Sequence, residues 1–62
     1  MKELCRVRMI ATERGNFRAE FLNLVTGETD MRYYRTHKGM CCAVTKYNNR
    51  MVRLYGHLLQ EA

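Results

Sequence analysis

Residues 43–56, AVTKYNNRMVRLYG, carry the most constraining pattern in this chain of 62 residues. Apolar side chains return at Val44, Tyr47, Met51, Leu54 and Leu58, three or four positions apart, while Lys46, Arg50, Arg53 and His57 return on another face. That period belongs to an amphipathic helix, whose apolar stripe must be covered by something else. Upstream the period changes to two. Cys5, Val7 and Met9 alternate with Arg6 and Arg8 within residues 4–11, and Phe17, Ala19 and Phe21 alternate with Arg18 and Glu20 within residues 17–25. Such alternation predicts strands with one buried and one wet face.

The punctuation between these segments completes the order of elements. TERGN breaks the first strand, with Gly15 and Asn16 supplying turn chemistry, and Thr26-Gly27 signals a hairpin in which glycine takes the positive-φ position. A third strand follows over about 28–35, ETDMRYYR. Leu22 and Leu24 fall on the Arg18 side of the second strand, so either a bulge turns them inward or they form an exposed apolar patch. Thr36 is placed to cap a helix over about 40–55, although Gly39 weakens its first turn. Gly56 serves as the C′ residue that ends the helix, leaving HLLQEA to fold back with Leu58 and Leu59. The expected fold is α+β: a three-stranded antiparallel sheet packed against one C-terminal helix, βββα, forming a single small domain over residues 1–62.

Size and charge restrict the function. A domain this small buries only about 60% of the surface its unfolded chain exposes, so nearly all of its apolar residues are committed to one core. Eleven Lys and Arg residues against six Asp and Glu give a formal charge of +5, which favours phosphate-bearing or acidic partners. The three cysteines cannot all pair within one chain, which points to a reducing, cytoplasmic setting. No segment approaches the ~20 apolar residues needed to span a bilayer. His37, Cys41, Cys42, Cys5 and His57 lack the spacing of a closed zinc site, and buried thiols acting as small hydrophobes explain the cysteines better. Neither the carboxylates nor the histidines are fixed in a shared pocket by any motif, so no catalytic residue, metal or cofactor is assigned and the chain is read as a non-enzyme.

Two basic surfaces compete. Arg6 and Arg8 project from one face of the first strand and Arg18 joins them from the second, a set suited to reading guanine edges or holding phosphates in a major groove. The helix stripe of Lys46, Arg50, Arg53 and His57 is the rival, and such stripes are commonly just the wet side of an amphipathic helix. Tyr33 and Tyr34 have the chemistry to stack on bases, but tyrosines in a third strand more often pack in the core or at its rim.

With these residues in view, the chain resembles the ethylene-response-factor (APETALA-type) DNA-binding domain of plant transcription factors and phage homing endonucleases. KYNNRMVRLYGHLLQEA is similar to that family's helix and tail, with Tyr47, Asn48 and Gly56 at matching spacing and Leu58-Leu59 at its apolar tail. RVR at 6–8 resembles its first strand, GNFRAEF at 15–21 its second, and Tyr34-Arg35-Thr36 the close of its third. The resemblance implies that the sheet lies in the DNA major groove and the helix braces it, with Arg6, Arg8 and Arg18 as contacts. The segment between Thr36 and Tyr47 is about one helical turn longer than the family pattern. Glu28 and Asp30 stand where the family usually shows arginine and tryptophan.

The leading expectation is a small protein binding double-stranded DNA, a regulator or recombination accessory of a phage or other mobile element. Arg6, Arg8 and Arg18 would be the contacts, with Asn16, Arg32 and Arg35 nearby. So small a module would need a homodimer or a partner protein for tight specific binding. The alternative is an inhibitor or adaptor that binds an acidic protein through the same sheet face, with Leu22, Leu24 and the tyrosines at its centre; the acidic third strand favours it. Binding of duplex RNA through the helix face is the third reading.

Overall fold

The computed structural model describes residues 3–60 of the chain. Three strands, β1 (Cys5–Ala11), β2 (Phe17–Asn23) and β3 (Thr29–Tyr34), are followed by helix α1 (His37–Tyr55) and a 3-10 turn, η1 (Gly56–Gln60). The strands lie in sequence order in one antiparallel sheet. This is the expected βββα arrangement, two layers in a body 15 Å across its thinnest axis.

Two five-residue connections set the register. In the first, Gly15 has φ 83° and donates to the Thr12 carbonyl, while the Thr12 amide donates to the Asn16 carbonyl at 2.9 Å. In the second, Asn23 Oδ1 accepts from the amides of Val25 (2.9 Å) and Thr26 (3.1 Å), and Gly27, also at φ 83°, donates to the Asn23 carbonyl at 2.7 Å. Only glycine takes that left-handed conformation without a steric penalty. Pairing runs unbroken from Cys5↔Asn23 to Ala11↔Phe17 and from Phe17↔Tyr34 to Leu22↔Thr29. There is no bulge in this ladder, so Leu22 is not turned inward and stays on the Arg18 side of β2, where it is half-buried. Leu24 lies beyond β2, its amide bonded to the Leu4 carbonyl at 2.9 Å.

The core is one seam between sheet and helix. Ala19 (0% exposed), Phe21 and Met40 are buried together, with Val7, Phe17, Tyr34, Val44 and Tyr47 packed around them. Ala19 on the central strand leaves room for Met40, and the Phe21 ring lies 4.6 Å from that of Tyr47. Met51 and Leu4 are buried too. The helix therefore applies Met40, Val44, Tyr47 and Met51 to the sheet. Leu54, expected on that stripe, is half exposed, because it lies in the last turn of a helix longer than the seam it covers.

The helix starts earlier than expected, and it ends at Tyr55 as expected but by a different geometry at Gly56. The helix begins at His37, about a turn before Met40, because Thr36 is extended (φ −129°, ψ 151°) and its Oγ1 accepts from the Gly39 amide at 3.0 Å. A Cβ on residue 39 would sit 3.0 Å from that hydroxyl, so Gly39 permits the cap to close. The Phe17 and His37 rings meet edge to face, their centroids 5.6 Å apart, which ties this first turn to β2. At the other end Gly56 keeps right-handed angles (φ −58°, ψ −27°) and donates to the Val52 carbonyl, so the chain tightens into η1 instead of reversing at a left-handed residue. Leu59 nevertheless lines a hollow with Leu4, Cys5, Met51 and Val52. The last two residues of HLLQEA lie outside the described residues.

These angles separate two glycines. An added Cβ at Gly56 meets Val52 Cγ1 at an ordinary 3.4 Å. Gly56→Ala is expected to raise stability by about 0.4–1 kcal/mol through the unfolded chain's entropy. Gly27→Ala, forced into the left-handed region, is expected to lower it by about 1–2 kcal/mol. Urea unfolding followed by circular dichroism checks both, and a loss at Gly56→Ala would restore the C′ role.

Candidate nucleic-acid interface on the open sheet face

Alternation and register together decide which side chains share the face turned away from α1. Ala19 and Phe21 point to the helix, so Arg18, Glu20 and Leu22 point away. Their ladder partners share their side: Ile10 and Tyr33 beside Arg18, Arg8 and Met31 beside Glu20, Arg6 and Thr29 beside Leu22. The open face is thus three rows of three. Among its strand residues stand three guanidinium groups and one carboxylate.

Glu20 is central to that face. Its Oε2 lies 3.2 Å from Arg18 Nε, and its Oε1 lies 4.0 Å from Arg8 Nη1 on the neighbouring strand. The Arg18 Nε–H is buried and not aligned on the carboxylate, so the contact is coulombic without a hydrogen bond. Arg6 pairs at 3.0 Å with Glu3, just outside the sheet. Exposed pairs such as Arg6–Glu3 contribute at most about 1 kcal/mol. They hold the arginine arms in place at little cost to a partner that displaces them. Arg6 and Arg8, with Leu22, Thr29 and Met31, line a hollow of about 660 Å³ on this face.

The remaining expected contacts scatter. Asn16 is exposed in the first connection, where only its main chain takes part in the turn. Arg35 is exposed in the link between β3 and α1. Arg32 lies opposite Ala19, so it stands on the helix side of the edge strand, paired with Asp30 at 3.1 Å. The structure does not bring Arg32 to the open face. Asp30 shares its side, opposite Phe21, and Glu28 lies in the turn before β3, lining a crevice with Tyr47 and Arg50. Glu28 therefore stands apart from Arg6, Arg8 and Arg18, whereas Asp30, though in step with the helix side, still borders the hollow that Arg6 and Arg8 line.

Two residues join the arginines on this face: Tyr33, which the protein-binding alternative already places there, and Arg14, which the sequence reading leaves unassigned. Tyr33 is 58% exposed beside Arg18, whereas its neighbour Tyr34 packs on the core. Arg14, exposed in the first connection, lines a second hollow with Asn16, Arg18 and Tyr33. Its place within TERGN, between two arginine-bearing strands, was the available signal. The helix carries Lys46, Arg50, Arg53 and His57 exposed, as the rival surface requires.

Among the described residues no three His, Cys, Asp or Glu side chains converge as a metal site would need, and no helix is long and apolar enough to cross a membrane. Cys5, Cys41 and Cys42 are all free thiols. Cys41 Sγ lies 3.6 Å from the His37 ring, one turn away on an accessible helix face. Comparison of the chain with protein-family models, curated proteins and solved structures finds no match.

Two groups at the sheet–helix seam hold their protons tightly. Burial, and then the nearby Glu3 carboxylate, raises the Cys5 thiol, which donates to Asn48 Oδ1 at 3.4 Å. Burial also raises the Tyr47 phenol, helped by Cys5 and Asp30 and opposed by Arg50. Both protons are more easily lost from the unfolded chain. Their contribution to stability is therefore full below about pH 8.5 and falls as pH rises through the raised folded values. Urea midpoints taken from neutral to alkaline pH are expected to show this decline, and the Cys5→Ser/Tyr47→Phe variant to flatten it.

Proposed function

We propose that the protein is a non-catalytic DNA-binding module that uses its open sheet face. The observation that carries this reading is the set of Arg6, Arg8 and Arg18 on adjacent strands of one face, with Asp30 and Arg32 turned to the other. Neighbouring strands lie about 4.8 Å apart, so a three-stranded sheet suits a major groove about 12 Å wide. Arginine arms rooted in a sheet reach base edges and phosphates alike, and the exposed Tyr33 and the turn residues Arg14 and Asn16 extend the same surface. The helix braces the sheet from behind, and its basic stripe is the wet side of an amphipathic helix. Three free thiols suit a reducing, cytoplasmic setting.

One observation favours a second reading, an adaptor or inhibitor binding an acidic protein. The hollow between the arginines has an apolar part, where Leu22 and the half-exposed Met31 stand diagonally across the β2–β3 ladder. An apolar centre ringed by charge is the usual anatomy of a protein interface.

Anisotropy of labelled duplex DNA and duplex RNA, titrated at two salt concentrations, separates these. DNA binding should weaken steeply with salt. In Arg8→Ala/Arg18→Ala, folded by circular dichroism, the log–log salt slope should become shallower by about 2. Arg50→Ala/Arg53→Ala should bind like the parent. Loss of binding in the helix variant instead would move the interface to α1, and no binding to either duplex at low salt would leave the protein-binding reading.

A further inference from the structure

β3 is an edge strand of the sheet. Main-chain groups along an edge strand point alternately toward and away from the sheet. The Glu28 carbonyl accepts from Asn23 across the β2–β3 connection, so Glu28 and the residues in step with it, Asp30, Arg32 and Tyr34, direct their main-chain groups toward β2. Thr29, Met31 and Tyr33 direct theirs outward. The Met31 amide agrees, since it donates at 2.9 Å to the side chain of Asp30 and not to β2. Among the described residues no helix, proline or bulge guards this edge, and all the residues of β3 but Tyr34 are exposed.

The side chains choose the partner and the register. We propose that a second copy of this chain adds antiparallel to β3, centred on Met31 facing Met31, in a twofold dimer. This register brings each outward-pointing residue opposite another: Met31 to Met31, and Thr29 to Tyr33 in both directions. Three such pairs exchange about six main-chain hydrogen bonds. On the helix side it sets Asp30 of one copy against Arg32 of the other, twice. The Asp30–Arg32 pair within each chain then becomes a four-charge alternating row, and Asp30 gives up the Met31 amide to do so. Opposite charges across an antiparallel pair stabilise it and like charges do the reverse.

Other registers lack this complementarity. Centring on Thr29 opposes Glu28 to Asp30, and centring on Tyr33 leaves Arg32 without an acidic partner. The β1 edge directs the main-chain groups of Cys5, Val7, Met9 and Ala11 outward, as the bond from Leu24 to the Leu4 carbonyl shows. Centring there on Val7 opposes Arg6 to Arg8, and centring on Met9 brings no opposite charges together. The dimer would carry a six-stranded sheet with both open faces on one side, and the inference stands whether or not that face binds DNA.

The test is sedimentation equilibrium of the whole chain and of two single charge reversals, Asp30→Arg and Arg32→Asp. A six-residue strand contact is a small interface, so a dissociation constant on the order of 10–100 µM is expected. Each reversal alone should weaken the dimer about tenfold or more, by setting like charges opposite one another. Mixed in equal amounts, the two variants should form a heterodimer of parental strength, since every cross-strand pair is again opposite in sign. Hydrogen exchange of the Thr29, Met31 and Tyr33 amides in the unaltered chain should slow with concentration, a readout independent of how the variants fold. A monomer at all concentrations, unchanged exchange at these amides, larger open-ended species, or failure of folded variants to recover on mixing would overturn the proposal.

Discussion

Ala19 sits at the centre of the middle strand with no exposed surface, and the helix is seated on it through Met40. A larger residue there would lift the first half of α1 off the sheet, and with it the Phe17–His37 and Phe21–Tyr47 ring contacts on either side. Overpacking a well-filled site costs about 1–3 kcal/mol, a sizeable part of what a domain this small has in reserve. One helix laid along one seam covers one face of the sheet only. The other face and both sheet edges are left to solvent, so their chemistry is set by side chains and not by burial.

That division explains which parts of the structure were legible from sequence. The change of period from two to 3.6 near Thr36 determines the order of elements, because each period is a direct record of which side chains are covered. Arg6, Arg8 and Arg18 were placed correctly together for the same reason: each alternates with residues that the core needs. β3 offered no such record. All but one of its residues are exposed, so nothing in TDMRYY distinguishes a buried side from a wet one. Counting through a five-residue turn does not carry the phase across, and only the register, Leu22 against Thr29, shows that Asp30 and Arg32 belong to the helix side and Met31 and Tyr33 to the open one. Of the two acidic residues that favour the protein-binding alternative, Glu28 lies in the turn before β3 and Asp30 is in step with the helix side of the strand.

The ends of the helix were obscured by a different cause. Glycine lowers helix propensity, which made Gly39 a reason to start late and Gly56 a reason to stop sharply. In the structure each is placed for a local contact instead. Gly39 leaves space for the Thr36 hydroxyl to reach its amide, and Gly56 continues right-handed into η1. Propensity measures an average over contexts, whereas a cap depends on a single distance.

The two edges of the sheet show how the same charged residues serve different ends. Arginines at Arg6 and Arg8 make β1 repel a copy of itself in its most direct register, which is one way a small sheet keeps an exposed edge from aggregating. On β3 the charges alternate in sign, Asp30 then Arg32, and that order is self-complementary when the strand is reversed against itself. An edge with alternating charge is protected against arbitrary strands, whose side chains will not match it, while remaining open to the one strand that does. The arginines that guard β1 and those that face the open side are the same residues. A surface basic enough to hold phosphates is therefore also what leaves β3 as the edge best suited to self-association.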